Sequence, residues 1–286
     1  MILFCLIGGS GQYQTYASDT ELLFRQGTGG SIRIHTIKPD ESLVELARRY
    51  DVGYNEIAAA NSKVDPFVPE VGTSVTIPES VLLPDVPMRR GIIINVAEMR
   101  LYYFHPHTRK VIETFPVGIG DEGWATPIGT YKIIEKIVNP AWHVPASIRK
   151  QKPYLPEIVP PGPDNPLGTR ALRLSIGTVL IHGTDRPYGI GRRVSHGCIH
   201  LYPEDIDKLF RKVKLGTKVT IVRQGVKAAN INGRVLVEIH EDRGHDLEQE
   251  AINLLERKGL LARADLLKLK AAVKAGSGMP TDITRL

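Results

Sequence analysis

A cysteine flanked by histidines is the feature of this sequence best suited to chemistry. Residues 195–201 read Ser-His-Gly-Cys-Ile-His-Leu, and a His-Gly pair at 182–183 precedes them across a loop rich in glycine and arginine. A free cysteine has a pKa of about 8.5, so it becomes an effective nucleophile at neutral pH only beside an imidazole or a cationic group. The residue types therefore predict thiol catalysis with Cys198 as the nucleophile.

The spacing of these residues would gather their side chains on one side of the chain. On an extended segment, a two-residue interval places His196, Cys198 and His200 on the same face. Gly197 would leave the backbone open, so that N–H groups could point at a developing oxyanion. Two consecutive arginines, at 192 and 193, would make the surroundings electropositive.

A zinc site is the sharpest alternative interpretation of the same segment. Four side chains here can ligate zinc: His182, His196, Cys198 and His200. Three protein ligands plus a water would make a hydrolase. Zinc signatures space their ligands further apart than an alternating His-x-Cys-x-His, and no second pair follows, so we expect no metal and no cofactor. A buried, unreactive Cys198 is the blander alternative.

Bulk composition narrows the class of protein. The chain has 286 residues, 42% of them hydrophobic and 24% charged, which suits a globular protein of two domains. Its net charge of +6 is spread without a run of lysine or arginine, so nucleic acid is not an expected partner. No apolar run approaches the roughly 18 residues that a membrane span needs.

The N-terminus carries the pattern of an export signal. A short apolar run at 1–9 is followed by Thr-Tyr-Ala at 15–17, a small-residue cleavage site, so residues 1–17 are predicted to be a signal peptide. Removal of that segment would take Cys5 with it. Cys198 would then be an unpaired cysteine in an exported protein, where structural cysteines normally come in pairs.

Residues 32–79 are predicted to form a small α+β (βααβ) domain. Its predicted elements are a strand at 32–37, a helix through Leu43, Leu46, Ala47 and Tyr50, a helix at 57–61 and a strand at 74–77. The opening Thr-Ile-Lys-Pro-Asp-Glu-Ser-Leu, the central Asn61 and the closing Val-Thr-Ile-Pro resemble a LysM module. The resemblance implies binding to the N-acetylglucosamine chains of peptidoglycan or chitin.

Strand patterns dominate residues 90–223, which predicts a mainly β domain with a few short helices. The predicted strands lie at 92–96, 99–104, 110–117, 170–175, 178–181 and 218–222, and one helix starts at Pro203 and stops before Gly216. Eight prolines between 139 and 166 exclude a helix there and predict a long ordered loop. Residues 224–286 should add a strand pair around Asn232 and helices at 247–258 and 260–274, with no assigned chemistry.

The motifs around Cys198 resemble those of L,D-transpeptidases with a YkuD-type catalytic domain. The resemblance extends to Thr-Pro-Ile-Gly-Thr at 126–130, to the segment 162–168 and to Tyr-Pro-Glu-Asp at 202–205. It implies the following roles: Cys198 as nucleophile, His182 as general base, Gly183 as the carbonyl that orients it, and Ser195, His196 and Gly197 as the segment that forms the oxyanion hole.

The resemblance also implies a reaction in the cell wall. The thiolate would attack the carbonyl of the diaminopimelic acid residue, at its L-centre, in a stem tetrapeptide, releasing D-alanine and leaving a thioester. The acceptor would be an amine of another stem peptide, a lysine of an outer-membrane lipoprotein, or water. These partners indicate a periplasmic protein associated with peptidoglycan.

One position departs from the family pattern. His200 stands where relatives usually have an arginine thought to bind the donor's carboxylate, and histidine is a weaker, pH-dependent cation. His200 and Arg193 are the predicted substrate-binding residues, and Arg192 or Arg193 is expected to compensate for the missing arginine. The alternative function is a glycan-binding protein whose catalysis is impaired.

Overall fold

The computed structural model describes residues 21–23, 28–106 and 111–286. The predicted signal peptide at 1–17 lies outside these residues, as does Lys110 at the start of a predicted strand. The first elements in chain order are β1 Glu21–Leu23, β2 Thr28–Gly29, β3 Ile32–Thr36, α1 Leu43–Arg49, α2 Tyr54–Ala60, β4 Ser74–Pro78 and β5 Val81–Leu82.

The elements from β3 to β4, called the N-terminal module below, follow the predicted βααβ order. Helix α1 begins after Ser42, whose hydroxyl accepts the Glu45 N–H while the Glu45 carboxylate accepts the Ser42 N–H, a capping box. Asn61 ties α2 to β4, because its amide donates to the Ile57 and Thr76 carbonyls and its oxygen accepts the Thr76 N–H. Helix α2 begins at Tyr54, three residues earlier than predicted.

The middle of the chain contains most of the strands. Its elements are β6 Gly91–Asn95, β7 Arg100–Phe104, β8 Val111–Pro116, β9 Ile119–Gly120, β10 Gly129–Val138, β11 Trp142–His143, α3 Ala146–Gln151, β12 Ile158–Val159, β13 Arg170–Leu174, β14 Leu180–His182, a 3-10 turn Pro187–Gly189, β15 Arg193–Ser195, β16 Ile199–His200, α4 Pro203–Lys212 and β17 Lys218–Val222.

Nine strands of the described residues form the main sheet, in the order β1-β8-β7-β6-β17-β10-β13-β14-β16. Strand β17 runs parallel to β6 in the middle of this sheet, and Ile206 and Leu209 of α4 pack into the same apolar core. The mainly β class predicted for this part of the chain is confirmed. Strand β10 was not predicted, because along its ten residues only Ile133 is buried and the apolar alternation is weak.

The prediction that the proline-rich stretch excludes a helix was wrong. Helix α3 occupies the gap between Pro145, which caps its N-terminus, and Pro153, which follows its end at Lys152. Proline is tolerated at the first turn of a helix and beyond its end, so prolines at these positions bound a helix rather than forbid one. The flanking β11 and β12 pair with each other, and Asn165 donates to three carbonyls of the loop.

The elements from β18 to β20, called the C-terminal unit below, form a separate small sheet with two helices on it. They are β18 Val226–Ile231, β19 Arg234–Ile239, α5 Leu247–Arg257, a 3-10 turn Leu261–Arg263, α6 Leu266–Ala275 and β20 Thr281–Asp282. The predicted helix at 260–274 begins only at Leu266. Its N-cap is Asp265, whose carboxylate accepts the Leu267 and Lys268 N–H groups and so fixes the start.

Buried ion pairs join these parts of the chain. Arg100 of β7 makes a bidentate pair with Glu56 of α2, at 2.8 and 2.7 Å, and both side chains are 3% exposed. On the other side, the Lys227 ammonium of β18 lies 2.9 Å from Glu98 and also contacts Glu238 and the Leu82 carbonyl. Each charge therefore has partners that replace the water it loses.

The described residues contain no helix long and apolar enough to cross a membrane.

The Arg100–Glu56 pair should contribute much more to the free energy of unfolding than an exposed ion pair that also joins the N-terminal module to the main-sheet domain. Arg100→Met leaves the buried Glu56 carboxylate without its cationic partner, which typically costs about 3–5 kcal/mol. Arg48→Met removes the pair of Arg48 with Glu204, 45% and 42% exposed, and should cost less than about 1 kcal/mol. Urea denaturation of the full chain measures both free energies of unfolding. Equal losses in the two variants would contradict this ranking.

Candidate active site

A short parallel pairing sets the geometry of the candidate site. In the ladder between β14 and β16, Ile181 lies opposite Ile199 and His182 lies opposite His200. Both isoleucines are fully buried, so a slip of one residue would turn them out of the core. Because side chains alternate along a strand, His182, His200 and the preceding Cys198 share the other face. The rings of His182 and His200 lie 4.4 Å apart, centroid to centroid.

His182 is a buried neutral imidazole with a fixed tautomer. Its Nδ1 lies 2.7 Å from the Gly183 carbonyl oxygen, which can only accept, so Nδ1 carries the proton and Nε2 keeps its lone pair. Burial, together with the neighbouring His200, holds the pKa of His182 well below its usual range, although the Gly183 hydrogen bond acts in the opposite direction. The residue can therefore accept a proton through Nε2 at neutral pH.

Cys198 is a partly exposed free thiol. Its Sγ lies 4.0 Å from the Thr178 carbonyl, and burial raises the pKa of the thiol. The Leu180 N–H and the Arg173 guanidinium act against that rise. Among the described residues, no hydrogen bond joins Sγ to His182. The resting pair is therefore a thiol and a neutral imidazole rather than a thiolate–imidazolium ion pair.

Ser195 shapes the loop that carries the thiol. Its hydroxyl donates to the Cys198 carbonyl at 2.6 Å and accepts the Gly197 N–H at 3.2 Å. Gly197 has φ of 97°, in the left-handed region that favours glycine. Its N–H is thus already engaged, whereas the Cys198 N–H meets no acceptor among the described residues. The oxyanion hole implied by the resemblance remains a prediction, with the Cys198 N–H as its available donor.

The prediction that His196, Cys198 and His200 share one face was wrong. The positive φ of Gly197 breaks the extended backbone between β15 and β16, so strict alternation does not hold across it. The exposed ring of His196 instead packs on Trp124, with centroids 4.9 Å apart. Cys198 and His200 remain on the face of His182.

The three cationic candidates near the thiol differ in what they can offer a substrate. Burial lowers the pKa of His200 to about 4, so its ring is neutral at neutral pH and does not replace the charge of an arginine. The Arg192 guanidinium lies 3.9 Å from the Tyr54 ring centroid in the N-terminal module. Arg193 lies 3.8 Å from Asp242. Substrate binding by His200 and Arg193 stays a prediction.

The zinc alternative finds no support in the ligand geometry. In the described ranges, ligand atoms of three such side chains converge only at Glu98, Glu238 and His240, and not around Cys198. The Lys227 ammonium already lies among those carboxylates and supplies the positive charge there. We therefore derive no metal chemistry from either group.

Several contacts of the site escaped the sequence analysis. Trp124 and Arg173 approach the Cys198 segment from distant strands and loops, and Tyr54 and Asp242 approach the two arginines from the flanking units. Arg173 lies in the strand predicted at 170–175, which was assigned no part in the site. Nothing in the local sequence linked any of these residues to the cysteine.

Comparison with known proteins identifies two families in the chain. Residues 89–221 match the model of the L,D-transpeptidase catalytic domain, and residues 35–78 match that of the LysM domain. "Probable L,D-transpeptidase YcfS" of Escherichia coli K12 is 39% identical over 273 residues, 90% of this chain and 85% of that protein. "Probable L,D-transpeptidase ErfK/SrfK" of the same strain is 38% identical over 265 residues, 87% of this chain and 84% of that protein.

Solved structures also match. An L,D-transpeptidase from Mycobacterium smegmatis has a TM-score of 0.37 and 18% identity, covering 53% of this chain and 64% of that one.

The thiol of the free protein should react slowly at neutral pH. Because burial raises the pKa of Cys198, the alkylation rate with iodoacetamide should increase about tenfold per pH unit between pH 6 and 8, as the thiolate fraction does. A Cys5→Ser background leaves one thiol to follow by intact mass. The His182→Gln variant should give the same profile, since a neutral imidazole does not stabilise the thiolate. A plateau below pH 7 would instead reveal an ion pair.

Proposed function

The chain belongs to the L,D-transpeptidase family, and on that premise we propose that Cys198 is the nucleophile and His182 the general base of its acyl transfer. The observation that carries the proposal is the register of β14 and β16, in which His182 lies opposite His200 and Cys198 directly precedes β16. There a buried, neutral imidazole with its Nδ1 proton held by Gly183 neighbours a partly exposed thiol. A base needs this free lone pair on Nε2.

In the first half-reaction, the thiol proton passes to Nε2 of His182 as sulfur attacks the donor. The bond forms between Sγ and the carbonyl carbon of the diaminopimelic acid residue, at its L-centre, in a stem tetrapeptide. Negative charge moves to the carbonyl oxygen, where the Cys198 N–H can donate a hydrogen bond. The C–N bond to D-alanine then breaks, His182 returns the proton to the leaving amine, and a thioester remains on Cys198.

In the second half-reaction, an amine attacks the thioester carbon. His182 accepts the amine proton, the C–S bond breaks, and the proton returns to sulfur. The acceptor is the side-chain amine of another stem peptide, which gives a 3-3 crosslink, or a lysine of an outer-membrane lipoprotein. Water in the same position would give a tripeptide.

The resting electrostatics fit a mechanism in which proton transfer accompanies attack. Burial disfavours charge on both Cys198 and His182, so the ion pair forms only as the substrate carbonyl arrives. The substrate also excludes water, which strengthens the interaction between the two new charges. A thiol kept protonated at rest is also less open to oxidation outside the cytoplasm.

The match to the LysM domain supports peptidoglycan as the partner of the N-terminal module. The protein is thus associated with the cell wall, and we assign it to the periplasm, where stem peptides and lipoprotein acceptors meet. Boundaries at 32–79 and 90–223 for the two domains belong to the same proposal.

Acyl transfer is tested by incubating the purified protein with a disaccharide-tetrapeptide. Intact-protein mass spectrometry should detect transient acylation of the wild type with release of D-alanine, and Cys198→Ala should show neither. The product mass separates crosslinked dimer from hydrolysed tripeptide. If neither protein reacts while both bind peptidoglycan, the chain is a binding protein. Equal turnover by the Cys198→Ala variant would remove the thiol from the mechanism.

The base is tested separately with His182→Gln. Loss of a positioned general base should lower the rate of D-alanine release about 100- to 10,000-fold. His245→Gln, which changes a half-exposed histidine of the C-terminal unit, should leave the rate unchanged. A His182→Gln rate within threefold of the wild type would assign the proton transfer to another group.

A further inference from the structure

We propose that Tyr54 of the N-terminal module and Asp242 of the C-terminal unit are positioning residues for the acyl transfer, acting through Arg192 and Arg193. These consecutive arginines precede Ser195 and the loop that carries Cys198, with Val194 alone between Arg193 and Ser195. The inference rests on the proposed function, since it concerns how the thiol is placed for that reaction. Under this proposal, the N-terminal module and the C-terminal unit both help to position the loop that carries Cys198.

Arg192 binds the N-terminal module. Its guanidinium lies 3.9 Å from the centroid of the Tyr54 ring and 5.9 Å from that of Phe67, within the range of a cation–π contact. The two rings stack on each other at 6.1 Å. A backbone hydrogen bond adds to this contact, since the Tyr54 N–H donates to the Ile190 carbonyl at 3.3 Å.

The close approach at this contact requires glycine. Gly191 has φ of 77°, and a Cβ at this position would lie 2.3 Å from the Tyr54 nitrogen. A side chain there would push the N-terminal module away from the arginines. The contact is thus built into the backbone as well as the side chains.

Arg193 binds the C-terminal unit. Its Nη2 lies 3.8 Å from a carboxylate oxygen of Asp242, whose side chain is only 6% exposed. The same carboxylate lies 2.7 Å from Nε of Arg223, at the end of β17. Asp242 therefore links the start of β15 to Arg223, the residue that follows β17 of the main sheet.

Adjacent residues of an extended chain point to opposite faces, which explains why neighbouring arginines reach different units. Among the described residues, β15, which starts at Arg193, pairs with β9 alone. The Ile119 N–H donates to the Arg192 carbonyl at 3.0 Å, and the Asp121 N–H donates to the Ser195 carbonyl at 2.9 Å. The Ser195 hydroxyl in turn fixes the loop at Cys198, because it donates to the Cys198 carbonyl and accepts the Gly197 N–H.

His182 does not share these anchors, because it lies on β14 between β13 and β16 within the main sheet. The distance between base and nucleophile is thus set on one side of Cys198 by the pairing of β16 with β14, and on the other side by the segment that the two arginines hold. Small displacements of reacting groups cost large factors in rate. A change at either anchor should accordingly lower kcat more than it raises KM.

The test uses the full chain with matched controls. Tyr54→Leu removes the aromatic face and Tyr54→Phe keeps it. Asp242→Asn removes the buried charge, and Glu241→Gln removes its neighbour, which is 77% exposed. Tyr54→Leu and Asp242→Asn should lower kcat for D-alanine release about 3- to 30-fold, with KM within twofold, and both controls should stay within twofold of the wild type.

The double variant Tyr54→Leu/Asp242→Asn distinguishes positioning from two unrelated losses. Two anchors of one short segment should give a combined loss smaller than the product of the single losses, because the first change already frees the segment. A combined loss equal to the product overturns the proposal. So does a kcat within twofold of the wild type in both single variants, or a loss confined to KM.

Arg192→Lys covers the case in which Tyr54→Leu fails to fold. It keeps the charge but loses the planar group that stacks on the ring, and it should lower kcat in the same way. If the wild type releases no D-alanine, the proposed function fails, and the alkylation rate of Cys198 at pH 8 becomes the readout. Changes of at least about threefold in the anchor variants, with unchanged controls, support positioning; unchanged rates overturn it.

Discussion

The parallel pairing of β14 and β16, with His182 opposite His200, brings His182 beside the segment that carries Cys198. The two strands are not consecutive along the chain. Strand β14 forms a hairpin with β13, whereas β16 follows the loop that contains Gly197. What fixes the pairing is burial of Ile181 and Ile199 on the core side, together with the hydrogen bonds of His200 to Gly118 and of Leu201 to the His182 carbonyl. His182 and His200 lie on the opposite face of the two strands from these buried isoleucines.

Burial acts on the two reacting groups in a coordinated way. A low-polarity environment disfavours the thiolate of Cys198 and the imidazolium of His182 alike, so the site rests uncharged. In the proposed mechanism, charge separation is then confined to the time when a carbonyl is present to receive the sulfur. The same burial explains the neutral His200, which contributes a ring beside His182 and no positive charge.

The flanking units are fastened by charges rather than by apolar surface alone. Arg100 with Glu56, and Lys227 with Glu98 and Glu238, are buried pairs whose partners satisfy one another. Desolvated pairs of this kind tolerate little displacement, because separating them leaves a bare charge in the interior. The LysM domain is therefore held in a defined place beside the domain that carries the thiol.

The sequence by itself determined the chemistry-bearing residues and the local elements. The Ser-His-Gly-Cys motif, the βααβ order and most strands follow from residue type, period and punctuation, which are local properties. The error at helix α3 was also local in origin. The number of prolines argued against a helix, but their positions at 145 and 153 leave room for one between them. Only the tertiary structure decided that Gly197 turns His196 away, that His200 is uncharged, and that Arg192 and Arg193 face different units. These outcomes depend on desolvation and on contacts between distant segments. The residues next to each position in the sequence determine neither of them.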